Sequence, residues 1–141
     1  MALKVAKVDI WMTTIDDRAG GLGEKVGPLA DAGANFEFVF ARRTPETPGK
    51  GLALVYPVKG AKVVKAAQGA GWDKAPDISG LRIEGGNKAG VGAKMLKALS
   101  DAGISFRGLS AAAVGRSFVC YLALDSAEDA SRASAVLRRV G

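Results

Sequence analysis

The sequence predicts an α+β protein made of two tandem copies of one unit, and two observations carry this prediction. The first is an internal repeat, because "DRAGGLGEKVGPLADAGANF" (residues 17–36) aligns without a gap with "NKAGVGAKMLKALSDAGISF" (residues 87–106). The second is that both halves show the same order of strand and helix patterns. A repeat held in register over such a length indicates a duplication. We therefore predict two units, residues 1–71 and 72–141.

The elements of each unit follow from the spacing of apolar residues. Alternation predicts strands, and a spacing of three or four residues predicts helices. In the first unit this gives strand, helix, strand, strand, helix over residues 5–15, 22–33, 36–40, 52–58 and around 63–67. In the second unit the same order is predicted over residues 81–84, 93–102, 104–109, 118–124 and 127–140. The offset of 70 residues between the two loops also aligns Leu52-Ala53-Leu54 with Leu122-Ala123-Leu124. This predicts that the two copies stay in register over their whole length.

This order is most of a ferredoxin-like βαββαβ unit, in which helices cover one face of an antiparallel sheet. The sequence does not determine the fourth strand of each unit. This strand is short, missing, or exchanged between units. In the first strand we expect Val8, Ile10 and Met12 on one face, with Asp9 and Trp11 on the other. Pro28 lacks a backbone donor, so the first helix is expected to be kinked or shortened there.

Composition and charge narrow the class of protein. Of the 141 residues 48% are hydrophobic and 24% charged, which is typical of a soluble globular chain. No apolar run reaches the ~20 residues of a membrane helix, so we expect a cytoplasmic protein without a membrane partner. A single cysteine, Cys120, agrees with a reducing compartment. The net charge of +6 is spread over both halves, which is more typical of solvated helix faces than of a nucleic-acid track.

The repeated glycine loops are the strongest candidate site. A glycine turn between a strand and a helix exposes backbone N–H groups at the positive end of the helix dipole, which suits a phosphate or a carboxylate. Neither loop is a nucleotide motif, since "GNKAGVGAK" lacks the GK[ST] ending and "AGGLG" is not GxGxxG. Close packing of helix and strand is the alternative role for these glycines.

The first loop resembles the opening of an ACT domain, a small-molecule-sensing module of βαββαβ fold. Its pattern of Asp, Gly, Leu, then Ala-Gly and an Asn entering the second strand is met by Asp17, Gly20, Leu22, Ala32-Gly33 and Asn35. Ala19 stands where the family usually has Pro. The second unit is farther from the pattern, with three of these positions changed and the glycines at 90 and 103 retained.

The resemblance implies that a free amino acid binds between two ACT-like units, with its carboxylate on the loop N–H groups. The implied ligand-binding residues are those of the loops and of the second-strand starts: Asp17, Ala19, Gly20, Gly21, Leu22, Asn35, Phe36, Asn87, Ala89, Gly90, Val91, Gly92, Ser105 and Phe106. Asp17 or Asn35 could accept from the ammonium group, although a turn or strand-edge role is open for both. The two sites differ in polarity, so we expect unequal affinities.

The resemblance also implies a homodimer that acts on a partner enzyme or regulator. RNA binding is the alternative function, because RNA-recognition modules share this topology. However, Leu52, Leu54 and Pro57 stand where that family has its stacking aromatics. Catalysis is not expected, since the chain has no histidine and no metal-ligand cluster. We expect no cofactor and no metal.

Overall fold

A computed structural model describes residues 2–140 of the chain. The elements within this range are β1 (Lys4–Val8), β2 (Trp11–Asp16), α1 (Gly21–Asp31), β3 (Phe38–Arg43), β4 (Lys50–Tyr56), α2 (Ala61–Gly69), β5 (Asp73–Lys74), β6 (Ser79–Gly86), α3 (Val91–Asp101), β7 (Gly108–Val114), β8 (Ser117–Leu124) and α4 (Ala127–Leu137). The predicted α+β class and the twice-repeated order strand, helix, strand, strand, helix are confirmed.

The described strands form two antiparallel sheets of four strands, in the orders β3-β4-β2-β5 and β1-β6-β8-β7. Each sheet belongs to one compact unit. The first unit is Asp9–Pro76, and the second unit is the chain up to Val8 together with the chain from Asp77 onward. This division differs from the predicted division after residue 71, because it places the N-terminal strand with the second half of the chain.

The fourth strands of the two units are different in kind. In the first unit β5 is only two residues long and pairs with the start of β2. In the second unit β1 takes the fourth position, and its five residues all pair with β6. The single strand predicted over residues 5–15 is therefore wrong. It is two strands in different sheets, since Leu3 and Val5 are buried in one core and Trp11 and Ile15 in the other.

The helices of the first unit cover one face of its sheet. The core between them contains Trp11, Ile15, Leu29, Ala53, Val55, Ala67 and Trp72. Trp11 is only 4% exposed, whereas Met12 is half-buried on the opposite face. Trp11 and Met12 thus lie on opposite faces of β2, as predicted, and Trp11 is on the face that packs against the core. Trp72 also packs within this core, and its indole N–H donates to the Lys25 carbonyl oxygen at 2.8 Å.

The second unit repeats this arrangement with its own core. Helices α3 and α4 pack on one face of the sheet, and their buried side chains meet those of β1, β6 and β8. The buried members of this core are Leu3, Val5, Leu81, Ile83, Met95, Leu99, Ile104, Cys120, Leu122, Leu124, Ala130, Ala133 and Leu137. The tryptophans Trp11 and Trp72 therefore both report on the first unit, which is useful for experiments.

The repeat keeps one register only as far as the second strand of each unit. Trp11 on β2 and Leu81 on β6 are 70 positions apart in the sequence. Their partners on the neighbouring strands, Val55 on β4 and Leu122 on β8, are only 67 positions apart. The reason is the hairpin turn, which spans residues 45–49 in the first unit and residues 115–116 in the second. The predicted equivalence of Leu52-Ala53-Leu54 with Leu122-Ala123-Leu124 is therefore wrong.

Two smaller expectations also differ from the structure. Helix α1 continues through Pro28 and has 11 residues, as many as α3, so the expected shortening is absent from this described helix. Strands β3 and β7 begin two and four residues later than predicted. Residues 34–37 and 104–107 instead form connections, in which Ile104 is buried in the core rather than placed in the sheet.

Candidate functional site

The two glycine loops have the same backbone. Each ends in a glycine with positive φ that directly precedes its helix, Gly20 at 84° before α1 and Gly90 at 86° before α3. Residues with a Cβ rarely adopt this left-handed conformation, so the glycines are required by the turn. No side chain caps either helix, whereas the Ser126 hydroxyl of α4 accepts from the Asp129 N–H at 3.1 Å.

The backbone donors of the loops are partly used by the loops themselves. The Gly21 N–H donates to the Arg18 carbonyl at 3.0 Å, and the Val91 N–H donates to the Lys88 carbonyl at 3.2 Å. The first helical bond of α1 is donated by Glu24 to Gly20, so the N–H groups of Leu22 and Gly23 precede the helical ladder. The Gly21 N–H is therefore used within the loop, and the N–H groups of Leu22 and Gly23 are donors that an anion at this helix start could use.

Gly21 has a second reason to be glycine, which is the close approach of the preceding strand. A Cβ at this position would overlap the carbonyl oxygen of Asp16. The equivalent residue of the second loop is Val91, whose side chain packs against the core of its unit. The first loop is thus the tighter of the two, and part of its glycine content serves packing, as the alternative reading of the motif proposed.

The first loop lies in a pocket of about 180 Å³ that is lined by residues of β2, α1, β3 and β4 and by the loop itself. Ion pairs surround it. The Arg43 Nε donates to the Asp17 carboxylate at 2.8 Å, the Lys50 Nζ to Asp16 at 2.6 Å, and the Arg18 guanidinium to both oxygens of Glu24. Both charge signs needed to hold a zwitterion are present.

These ion pairs affect the predicted acceptor. Asp17 lines the pocket, but its carboxylate already accepts from Arg43, whose side chain is 80% exposed. A ligand ammonium would have to share Asp17 with this exposed guanidinium. The hydrogen bond from Lys50, followed by its charge and that of Arg18, lowers the pKa of Asp16 below its ordinary value. Asp16 is thus an anion at neutral pH.

The second loop lies in a smaller pocket of about 110 Å³. Lys88, Ala89, Val91 and Lys94 line it together with apolar residues of its own unit, and none of these described lining residues is acidic. Asn87 and Gly90 shape the turn, and the Asn87 N–H donates to the Arg116 carbonyl at 2.8 Å. The two loops therefore share a backbone but differ in charge, as the sequence predicted.

The residues at the second-strand starts do not join the loops within a unit. Asn35 lies at the end of the first unit where α1 ends and α2 begins, in a groove of about 440 Å³. We call this the connection groove and define it by its lining: Gly33, Ala34, Asn35, Glu37, Pro57, Lys59 and Val63. Phe36 and Phe106 pack against the cores of their units, and Ser105 is exposed.

Sequence reasoning missed several residues of these pockets. It did not identify Arg43 and Lys50 as partners of the loop carboxylates, because cross-strand neighbours depend on hairpin register. It also missed the connection groove, whose sides come from two separate connections, residues 33–37 and 57–60. The only signal was Ala34 standing where the second unit has Ile104.

Other chemistry has little support in the part of the chain that the structure describes. No group of three or more His, Cys, Asp or Glu side chains in residues 2–140 could hold a metal ion. Cys120 is buried in the second core, and burial raises the pKa of its thiol to about 11. The helices described there are all too short or too polar to cross a bilayer. Leu52 and Leu54 occupy the sheet face away from the helices, as the RNA comparison assumed.

Solved structures resemble the chain over nearly its full length. Protein BT0572 from Bacteroides thetaiotaomicron covers 96% of this chain and 98% of its own, with a TM-score of 0.76 at 14% identity. The ligand-free regulatory subunit of aspartate kinase from Thermus thermophilus covers 99% of this chain and 97% of its own, with a TM-score of 0.64 at 18% identity. The regulatory subunit of aspartate kinase from Thermus flavus covers 96% of this chain and 95% of its own, with a TM-score of 0.59 at 17% identity.

The chain has the fold of an aspartate kinase regulatory subunit. No sequence-family model and no curated protein sequence matches it. The predicted resemblance to tandem ACT domains is therefore confirmed as a likeness of fold. The matched subunits are regulatory ones, and in this tandem ACT-like fold each glycine loop lies where the first strand of a unit passes into its first helix.

Proposed function

We propose that the protein is a regulatory protein that binds a free amino acid at the interface between ACT-like units. In this proposal it catalyses no reaction and reports ligand level to a partner enzyme or regulator in the cytoplasm. The observation that carries the proposal is the near full-length fold likeness to a regulatory subunit of aspartate kinase, whose solved form is described as ligand-free. The paired glycine loops supply the chemistry.

The geometry of the loops supports a carboxylate ligand. Leu22 and Gly23 offer N–H groups at the start of α1, and Gly92 and Ala93 do the same at the start of α3. A carboxylate at such a helix start gains charge-assisted hydrogen bonds. At the first loop Asp17 adds an acceptor for the ammonium group. At the first loop, the carboxylate of an amino acid thus has hydrogen-bond donors, and its ammonium group has an acceptor.

The size of the loop pockets supports an interface site. At about 180 and 110 Å³ both are smaller than the ~300–1,000 Å³ of typical ligand sites. A neighbouring unit is needed to close them. The second-strand starts, with Asn35 and Phe36 or Ser105 and Phe106, are the surfaces that the ACT resemblance assigns to this role.

A homodimer is the assembly that the sheets favour. Strand β7 is an outer strand of its sheet, so one side of its backbone is without a strand neighbour within the described sheet. Its residues are small or apolar and uncharged, and Val114 is 72% exposed. Natural edge strands usually carry charges or proline to prevent pairing. We therefore expect β7 to pair with the same strand of a second copy.

The two loops should bind with unequal affinity. The first has Asp17 for the ligand ammonium, whereas the second is lined by Lys88 and Lys94 and offers the neutral Asn87. Calorimetry should give two classes of site per chain, of which the tighter is removed by changes in the first loop. Two identical sites would contradict this part of the proposal.

A thermal-shift screen with each of the proteinogenic amino acids tests the function. We expect one compound or a few related ones to raise the Tm. Gly23→Glu and Ala93→Glu place a carboxylate over the free N–H groups of each loop, at exposed positions where Glu also favours a helix start. Each should weaken binding at its own loop by about tenfold.

The neutral variants Gly23→Gln and Ala93→Gln are the matched controls, because they add the same bulk without the charge. They should keep most of the affinity. The proposed function is contradicted if no amino acid shifts the Tm, or if the Glu and Gln variants bind equally well.

A further inference from the structure

The connection groove is the largest of the three pockets described above, and it lies wholly within the first unit. Its volume of about 440 Å³ is within the range of small-molecule sites, whereas both loop pockets fall below that range. Its walls come from the connection between α1 and β3 and the connection between β4 and α2. It needs no neighbouring unit to reach the volume of a ligand site.

The lining of the groove combines an apolar wall with polar groups of both charge signs. Ala34, Pro57 and Val63 form the apolar part, and Val63 is buried at the start of α2. Lys59 contributes an ammonium and Glu37 a carboxylate, and Asn35 adds an amide that both donates and accepts. A few polar groups on an otherwise apolar wall are the usual composition of a small-molecule site.

The second unit supplies an internal comparison, because the same place there is filled. Ile104, equivalent to Ala34, is 6% exposed and belongs to the core. Arg107, equivalent to Glu37, donates through Nε to Asp125 at 2.7 Å and so ties the two connections together. Replacement of a buried isoleucine by alanine removes wall volume in the first unit, and Glu37 puts a carboxylate where the second unit has a guanidinium.

The third difference concerns Lys59. Lys59 directly precedes Gly60, the N-cap residue of α2, whereas the N-cap residue of α4 in the second unit is Ser126, whose hydroxyl accepts from the Asp129 N–H. A lysine just before a helix start is opposed by the helix dipole, because both are positive there. Helix α2 has no side-chain cap either. The first unit thus has a cation in the lining of the groove, beside a helix start without a side-chain cap, whereas the matching helix start of the second unit is capped.

We propose that the connection groove is a second binding site, which takes a small zwitterion such as a free amino acid within a single unit. The carboxylate of the ligand lies at Lys59, its ammonium at Glu37 and the Asn35 carbonyl, and its side chain on Pro57 and Val63. The site shares its ligand class with the proposed function but, apart from Asn35, uses no residue of the proposed interface sites.

Amide-shift titrations by NMR locate the ligand. Each proteinogenic amino acid is titrated separately into ¹⁵N-labelled full-length protein, and the amides of residues 59–63, which belong to the groove alone, are followed beside those of residues 20–23 and 90–93. We expect saturable shifts in the groove set. Glu37→Gln and Lys59→Gln should each weaken this binding by about tenfold, since each removes one charged hydrogen bond.

Ala34→Ile copies the residue of the second unit and should abolish groove binding by filling the wall. Arg107→Gln, at the position that matches Glu37, should leave it unchanged, as should Gly23→Glu. Tryptophan fluorescence on melting, which reports on the first unit, shows whether each first-unit variant is folded, and far-UV circular dichroism does the same for Arg107→Gln. Glu37→Gln and Lys59→Gln keep the test decisive if Ala34→Ile is unstable.

The outcomes separate this proposal from the proposed function. Shifts confined to the loop set overturn the groove and leave the interface sites standing. Shifts confined to the groove set that the two charge variants reduce support the groove and contradict the interface sites. Groove shifts that Glu37→Gln and Lys59→Gln leave unchanged overturn the zwitterion assignment, and no shift in either set overturns both proposals.

Discussion

The two glycine loops share a backbone and differ in almost everything that their side chains do. Gly20 and Gly90 have nearly the same φ, and the helices that follow are equally long. Yet the first loop is surrounded by ion pairs, whereas Gly86 and Asn87 of the second replace two of its carboxylates. After this duplication, the backbone path is retained while the charge of the site is free to change.

The fourth strands extend the same comparison from the loops to the sheets. The first unit closes its sheet with the two residues of β5, while the second uses the five residues of β1 from the opposite end of the chain. The second unit therefore depends on β1, which lies outside the second copy of the sequence repeat. This dependence can be broken without touching the first unit, which gives the largest predicted effect.

Deletion of residues 2–8 should unfold the second unit while the first stays native. The deletion exposes one edge of β6 and removes the buried side chains of Leu3, Val5 and Val8. Burial of such side chains stabilises by about 1.5–3 kcal/mol each, so we expect a loss of about 5 kcal/mol or more. Far-UV circular dichroism should fall, and the fluorescence maximum of Trp11 and Trp72 should stay at its native wavelength.

Pro substitution of Asp73 is the matched control, since it disturbs only the short β5. It should lower the first unit's stability mildly and leave the second unit folded. If the N-terminal deletion shifted tryptophan fluorescence as strongly as circular dichroism, the assignment of β1 to the second unit would be wrong.

Exchange of the residues at the helix starts should have the next largest effect. Gly21→Val copies Val91 into the first loop, where its Cβ overlaps the Asp16 carbonyl oxygen, so we expect the first unit to lose about 3 kcal/mol. The measurement is urea unfolding followed by tryptophan fluorescence. Gly23→Val, at a neighbouring position with open space around it, is the control and should change stability by about 0.5 kcal/mol or less, because the helix propensities of glycine and valine differ only slightly. Equal losses would contradict the close approach at Gly21.

The smallest predicted effect is the acid titration of the first loop. The pKa of Asp16 is lowered from 3.8 in the folded state, chiefly by the hydrogen bond from Lys50. Its contribution to stability is therefore complete above the unfolded-state pKa and is lost as the pH falls through the lower folded pKa. The effect on stability should be slight, because both side chains are about half exposed.

Carbon-detected NMR of the Asp16 carboxyl group measures this pKa directly. Lys50→Met should raise it toward its ordinary value. Arg107→Gln, which removes an ion pair of the second unit, should leave it unchanged. A pKa of Asp16 that does not respond to Lys50→Met would contradict the ion pair as its cause.

The sequence predicted the parts of this molecule that local patterns determine. Apolar spacing located the helices, and the repeat placed Gly20 and Gly90 at equivalent turns. It could not assign residues 5–15 to two sheets, because alternation describes a strand but does not name its partner. It also could not say which face of β2 is buried, because alternation separates two faces without identifying the one that packs against the helices.

The candidate sites follow the same division. Loop residues such as Asp17 and Leu22 were found because glycine turns leave a sequence signature. Lys59, Glu37 and Arg43 were not, because pockets and ion pairs between distant segments depend on hairpin register. That register changed by three residues at one turn, and a gapless alignment of identical residues concealed the change.

The pairing of β1 with β6 has a consequence during synthesis. β1 leaves the ribosome before its partner β6, which follows only after the whole first unit has been made. Throughout that interval the nascent chain carries an unpaired strand whose Val5 and Val8 side chains are not yet buried, a known hazard for association between chains. Slow translation of the first unit should therefore increase the demand for chaperones, whereas rapid delivery of β6 should relieve it.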